Sequence, residues 1–167
     1  MYKYLGNYNF DFEIELDKLT YHSHKINKYS DEDSKSAKEV GYGNNTEIHK
    51  VWGEDYPPEL IDYVNGFPID WINTNFQVQK PGFIIPPHKD AFGMIKEKYG
   101  TDRKPYRILV CMSEWVFGQV IMVEDSVLTN WKKGDAWIWD SESIHMSANG
   151  SVKDKLTMII PGWYEDN

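Results

Sequence analysis

The sequence from residue 71 to residue 160 is divided into short apolar or alternating runs by turn-forming residues. The predicted strands are Trp71–Gln79, Phe83–Pro87, Tyr106–Ser113, Gln119–Val123, Ser126–Trp131, Ala136–Asp140 and Leu156–Ile160. Aromatic residues make up 15% of the chain and include 7 Trp, which favours strands further. Short strands joined by tight turns, with little helix, predict a mainly β fold of the sandwich or jelly-roll type.

The first seventy residues carry weaker signals. Tyr8–Leu16 alternates with the period of two that predicts a half-buried strand. Lys25–Asn45 is polar and charged, which indicates a long surface loop. Pro57–Val64 has proline at its start and Gly66 beyond its end, which predicts a short helix.

Length and charge restrict the kind of protein. We expect residues 1–167 to form a single domain, large enough to fold without a structural metal. Cys111 is the only cysteine, which excludes an internal disulfide and cysteine-rich zinc modules. A net charge of −8 argues against a nucleic-acid partner. No run approaches the roughly 20 apolar residues of a membrane helix, and acidic residues occupy the start, so we expect a soluble, cytoplasmic protein.

One group of residues suggests metal chemistry. His88 and Asp90 stand at i and i+2 of an extended segment, so their side chains leave the same face. His145 follows an aromatic strand and is the candidate third ligand. Two imidazoles and one carboxylate on one face of a metal form the facial triad of non-haem Fe(II) oxygenases. A His-x-Asp pair alone is common by chance, and on that pair alone the polarity of an exposed loop is the favoured explanation.

The wider pattern resembles a known superfamily. Residues Gln79–Asp90, Lys133–Asp140, His145 and Asn149 together resemble the Fe(II)/2-oxoglutarate-dependent dioxygenases. The nearest branch is that of the aspartyl/asparaginyl β-hydroxylase-like proteins, with some likeness to prolyl hydroxylases. The resemblance covers about residues 71 to 164, and the ordered pattern is more specific than any of its parts.

The resemblance implies a double-stranded β-helix, a cupin-like jelly roll with one or two short helices, that holds iron on His88, Asp90 and His145. It implies that Lys155 pairs with the far carboxylate of 2-oxoglutarate and that Arg107 holds the carboxylate beside the iron. The implied reaction consumes O₂, converts 2-oxoglutarate to succinate and CO₂, and hydroxylates a C–H bond, with ascorbate as a supporting reductant.

Other assignments are less specific. Asn75, Gln77 and Gln79 alternate on one strand face, where their amides could contact 2-oxoglutarate or form an ordinary solvated face. A rim salt bridge for Arg107 and plain surface charge for Lys155 are the alternatives to cosubstrate binding. Leu109 replaces a histidine that the branch often carries, which puts the surroundings of the metal in doubt.

The substrate stays open between a small molecule and a protein side chain. Specificity is expected in Lys25–Asn45 and in an insertion, Ala91–Lys104, that could form a lid. Two competing hypotheses are a cupin-like module that binds a metal or ligand without turnover and a metal-free structural jelly roll. We expect His22, His24 and His49 to lie on surfaces, and Cys111 to serve as a small apolar residue.

Overall fold

The computed structural model describes residues 2–25, 46–90, 92 and 103–165. The predicted loop Lys25–Asn45 therefore lies outside the described residues from residue 26 onward, as does most of the insertion Ala91–Lys104. The described strands are β1 (Tyr2–Asn7), β2 (His22–Lys25), β3 (Glu47–Trp52), β4 (Asp70–Trp71), β5 (Asn75–Gln79), β6 (Ile84–His88), β7 (Tyr106–Cys111), β8 (Gln119–Val123), β9 (Ser126–Leu128), β10 (Asp135–Asp140), β11 (His145–Asn149) and β12 (Lys155–Trp163).

The strands form two antiparallel sheets. The larger has the order β1-β10-β7-β12-β5-β3-β2, with β4 paired to β12, and the smaller has the order β6-β11-β8-β9. Strands that are distant in sequence are neighbours in both sheets, so described residues from distant parts of the chain meet between them. The predicted mainly β fold is confirmed.

Two apolar clusters hold the sheets in place. The inner cluster joins Leu109, Cys111 and Ile159 of the larger sheet to Ile121 and Val123 of the smaller sheet. The outer cluster covers the opposite face of the larger sheet and includes Leu60 and Val64 of helix α1 (Pro58–Asn65). Alternate residues of each central strand therefore face different clusters, as the period of two requires. The predicted helix is confirmed, and single 3₁₀ turns occupy Leu16–Lys18 and Gly53–Asp55.

The structure corrects the predicted strand at Tyr8–Leu16. Strand β1 ends at Asn7, and the backbone N–H of Tyr8 donates to the carbonyl of Gly134 at 2.8 Å. Beyond that point Phe10 and Phe12 pack against the ring of Tyr63 in α1, with ring centres 5.0 and 5.9 Å apart. The alternating aromatic residues thus bury against a helix and form no ladder.

The boundaries of the other predicted strands differ less from those of the structure. The predicted strand Trp71–Gln79 is divided at Thr74, whose hydroxyl donates to the carbonyl of Ile159 and whose backbone N–H donates to the side chain of Asn73. Strand β8 has the predicted bounds Gln119–Val123, whereas β12 is longer than predicted. No helix among the described residues is long and apolar enough to cross a membrane.

Candidate metal centre

His88, Asp90 and His145 come together where the two ends of paired strands meet. His88 ends β6 and His145 begins β11, and the two are partners in the antiparallel register. Their ring centres are 4.3 Å apart, and Asp90 follows β6 by two residues. The ligand atoms of the three side chains all lie within 4.8 Å of one another. This is the one such group of metal-ligating side chains among the described residues.

Hydrogen bonds set the tautomer of both histidines. The Nδ1 atom of His88 lies 2.9 Å from the carbonyl oxygen of Pro86, and that of His145 lies 3.1 Å from the carbonyl oxygen of Ser143. Because a carbonyl oxygen can only accept, each Nδ1 carries the proton and donates. Each Nε2 atom then carries a lone pair, and it lies near Asp90, at 3.9 Å from Oδ1 for His88 and 3.6 Å from Oδ2 for His145.

Arg107 lies against two of these three groups. Its Nε is 3.0 Å from Asp90 Oδ2, and its Nη1 is 2.6 Å from His145 Nε2. The Nε and Oδ2 atoms are buried and too poorly aligned to form a hydrogen bond, despite their closeness. A buried carboxylate oxygen without a hydrogen bond, beside two imidazole lone pairs, is a donor set that fits a divalent metal ion. His145 Nε2 has one lone pair, so Arg107 and a metal ion would compete for it.

Both imidazoles are held in their neutral form. Burial lowers the pKa of His88 and, together with the charge of Arg107, lowers the pKa of His145 to about 3. Only unprotonated imidazole nitrogens bind metals, so both rings have the protonation state that metal binding requires at neutral pH.

A cavity of about 350 Å³ opens beside the three side chains. Its size falls within the range of small-molecule sites. Leu109, Ile121, Trp139 and Ile159 give it an apolar wall from both sheets. The ring of Trp139 packs on that of His145 with centres 5.2 Å apart, which holds the imidazole in place.

The predicted cosubstrate residues fall into two groups. Arg107 and Gln77 line the cavity, and the side chain of Gln77 donates to Asn75 at 2.6 Å. Lys155 and Gln79 lie behind the wall, almost fully buried. Both bind the hydroxyl of Ser147, which does line the cavity.

Lys155 uses all its donors within the protein. Its ammonium group donates to the hydroxyl of Ser147 and to the carbonyl oxygens of Val120 and Ala148, at 3.2 and 3.3 Å for the two carbonyls. Burial lowers the pKa of Lys155 to about 7. The lysine therefore ties β12 to β8 and β11 and reaches the cavity through Ser147.

The cavity residues that the sequence analysis did not identify include Lys50, Ser147 and Thr157. Ser147 and Thr157 each follow a predicted site residue, His145 and Lys155, by two positions. The period of two would have placed them on the same strand faces. Lys50 lies on β3, in the part of the chain that the resemblance does not cover, and the sequence carries no signal for it.

Two histidines predicted to lie outside the site are accounted for elsewhere. His22 Nε2 is 3.3 Å from Asp55 on the surface, and His49 Nε2 is 3.2 Å from Glu47. Asn149 is buried and donates to the carbonyl oxygens of Gln79 and Lys153, which makes it a structural residue of the β11 end.

Comparison with known proteins supports the fold. The α-ketoglutarate-dependent carbocyclase SnoK of nogalamycin biosynthesis superposes with a TM-score of 0.54 at 14% identity, covering 87% of this chain and 79% of its own. A protein from Thermotoga maritima described as a predicted oxalate decarboxylase gives 0.52 at 13% identity, covering 91% and 99%. The fold is a cupin-like jelly roll.

A third structure agrees with these two. The α-ketoglutarate-dependent epimerase SnoN, also of nogalamycin biosynthesis, gives a TM-score of 0.53 at 10% identity and covers 74% of this chain and 64% of its own. No family model and no curated protein matches the sequence. At these identities the likeness establishes the predicted jelly roll and not an activity.

Proposed function

We propose that this protein is an Fe(II)- and 2-oxoglutarate-dependent oxygenase that hydroxylates a C–H bond of a small molecule or a protein side chain. We place it in the aspartyl/asparaginyl β-hydroxylase-like branch. One observation carries the proposal. Two imidazole Nε2 atoms with their Nδ1 protons engaged elsewhere, and a buried carboxylate oxygen without a hydrogen bond, converge at the wall of a cavity of about 350 Å³.

His88, Asp90 and His145 would hold the metal. Three protein ligands of the N, N, O type suit Fe(II) and leave coordination positions for other molecules. Bound there, Fe(II) supplies the redox chemistry by which 2-oxoglutarate and O₂ give succinate and CO₂ while the substrate gains a hydroxyl group. The carbonyls of Pro86 and Ser143 orient the two imidazoles throughout.

The remaining side chains bind and orient the reactants. Arg107 provides a positive charge beside the metal ligands, where a carboxylate of 2-oxoglutarate would lie, and Gln77 provides an amide. Ser147 accepts from Lys155 and donates to Gln79, and it would donate to the far carboxylate by turning its proton away from Gln79. The apolar wall excludes water from the reacting groups.

A second candidate is a jelly-roll module that binds a metal or a carboxylate without turnover. The hydrogen bond from Arg107 to His145 and the fully used donors of Lys155 favour it, because both cations already have partners within the protein. Such a module would bind ligands but consume no 2-oxoglutarate.

Succinate production tests the proposal. The purified protein is incubated with 2-oxoglutarate, Fe(II) and ascorbate, and succinate is measured by mass spectrometry. We expect the wild-type protein and a surface control, His22→Ala, to form succinate and His88→Ala to form none. Metal binding without succinate would favour the second candidate, and full activity in His88→Ala would contradict the proposed metal site.

A further inference from the structure

Lys50 lies on the inner face of the larger sheet at the edge of the cavity. It is paired in register with Gln77 of β5, which is paired with Thr157 of β12. All three side chains line the cavity. Because neighbouring strands are about 4.8 Å apart, this row runs about 10 Å across the sheet between the α-carbons of Thr157 and Lys50.

The ammonium group of Lys50 is unpaired within the described residues. It forms no hydrogen bond and no ion pair there, and its Nζ lies over the ring of Trp52, 5.6 Å from the ring centre. Lys155 is the opposite case, since three protein oxygens occupy its three N–H groups. Of these two lysines, Lys50 is the one that can bind a ligand without giving up a hydrogen bond to the protein.

The other charged groups around the cavity have partners. Asp90 lies 3.0 Å from Arg107, Glu47 lies 3.2 Å from His49, and Lys89 lies 3.0 Å from Glu142. The pKa of Lys50 is lowered to about 8 by burial and then by the charge of Arg107, with Asp90 acting in the opposite direction. A bound anion would compensate the charge that the protein leaves uncompensated there.

We propose that Lys50 is a carboxylate-binding residue of this cavity, anchoring a small organic acid that extends towards His88, Asp90 and His145. A single ammonium beside the neutral groups of Gln77 and Thr157 suits a carboxylate, which carries one negative charge. The carboxylate belongs either to 2-oxoglutarate or to the molecule that is oxidised. The inference rests on the proposed function for the identity of the acid but not for the presence of the anchor.

The first measurement compares two acids that differ only at the far end. Calorimetry with Mn(II)-loaded protein gives the affinity for 2-oxoglutarate and for 2-oxobutanoate, which lacks the far carboxylate. If Lys50 holds that carboxylate, Lys50→Met binds 2-oxoglutarate roughly ten- to hundredfold more weakly and 2-oxobutanoate unchanged. Lys50→Arg restores most of the affinity. Lys18→Met, which removes an exposed lysine beside Glu15, is the charge-matched control.

The second measurement tests whether the carboxylate belongs to the molecule that is oxidised. Protein saturated with Mn(II) and N-oxalylglycine is titrated with glutarate. If Lys50 holds a carboxylate of the oxidised molecule, Lys50→Met keeps its affinity for 2-oxoglutarate and loses glutarate binding by a similar factor. Thermal unfolding of each variant verifies that it is folded.

If Lys50→Met binds 2-oxoglutarate and glutarate as tightly as Lys18→Met does, the inference is overturned. Wild-type protein that binds neither 2-oxoglutarate nor glutarate would also overturn it. Failure of the proposed function has a different signature. Binding of glutarate that depends on Lys50, in a wild-type protein that forms no succinate from 2-oxoglutarate, would support the anchor and contradict the oxygenase.

Discussion

His145 accepts a hydrogen bond from Arg107 through Nε2 at 2.6 Å and donates through Nδ1 to the carbonyl of Ser143 at 3.1 Å. Both ring nitrogens are therefore engaged, and the ring is held between a fixed cation and a fixed dipole. A proton on Nε2 would face the guanidinium directly. Burial and the charge of Arg107 keep the imidazole neutral, and a metal ion would have to displace Arg107 from the Nε2 lone pair.

This relationship predicts how stability depends on pH. In the unfolded chain His145 binds a proton below about pH 6.5, whereas in the folded protein its pKa is about 3. Falling pH therefore favours the unfolded chain across this window, by about 1.4 kcal/mol per pH unit for one such group. In chelator-treated protein, urea unfolding should show stability decreasing from pH 6.5 to pH 4.5. In His145→Gln the free energy of unfolding should depend less steeply on pH, because the contribution of one proton is lost. An unchanged slope would contradict the lowered pKa of His145.

The turn before β10 predicts a contrast between two glycines. Gly134 has a φ of +90°, and a Cβ there would lie 2.7 Å from the carbonyl oxygen of Tyr8. Gly82 has a φ of +84° with nothing within 4 Å of its Cβ position. Gly82→Ala should thus lower the free energy of unfolding only by the backbone strain, about 1 kcal/mol. Gly134→Ala should lower it clearly more, because the Cβ also meets the carbonyl oxygen of Tyr8. Urea unfolding of the two variants measures the difference, and equal losses would show that the close contact is relieved without cost.

Asp140 predicts a link between loop geometry and metal affinity. Its carboxylate accepts from the backbone N–H of Glu142 and the hydroxyl of Ser143, each at 3.1 Å, and from Lys104 at 2.7 Å. These bonds shape the loop that leads to His145. Asp140→Ala should lower the free energy of unfolding by about 1–3 kcal/mol and weaken Mn(II) binding. Asp154→Ala, which removes a surface partner of Lys80, is the control, and equal Mn(II) affinity in both variants would contradict the link.

Cys111 should be inert in the folded protein. It is fully buried in the inner cluster, and burial raises the pKa of its thiol. We expect no reaction with a chromogenic disulfide reagent at pH 8 and reaction of one thiol per chain after unfolding in urea. Rapid reaction in the folded protein would show that the inner cluster opens readily.

The strands could be predicted where turn residues mark both ends. Gln119–Val123 lies between Gly118, with a φ of +96°, and Glu124, with a φ of +53°, and its bounds were predicted correctly. Strand β11 was missed because its residues His145–Asn149 are polar or small except for Met146, which leaves no apolar alternation. Tyr8–Leu16 failed for the opposite reason, since alternation records which side chains are buried and not whether a neighbouring strand exists.

The grouping of the candidate ligands could be predicted only where they share a local pattern. His88 and Asp90 are close in sequence, and His145 was placed beside them through the resemblance. Lys50 and Lys155 show the limit. Among the described residues, Lys155 has three oxygen partners and Lys50 has none. Their sequence positions do not reveal this difference, because it depends on how β3 and β12 lie in the sheet.

Metal stoichiometry tests the central claim most directly. Chelator-treated protein is titrated with Mn(II), and bound metal is measured by elemental analysis after desalting. The arrangement of His88, Asp90 and His145 predicts one ion per chain in the wild-type protein and in the surface control His22→Ala, and almost none in His88→Ala or His145→Ala. Wild-type protein that retains no metal, or His88→Ala and His145→Ala that retain as much as the wild type, would contradict it.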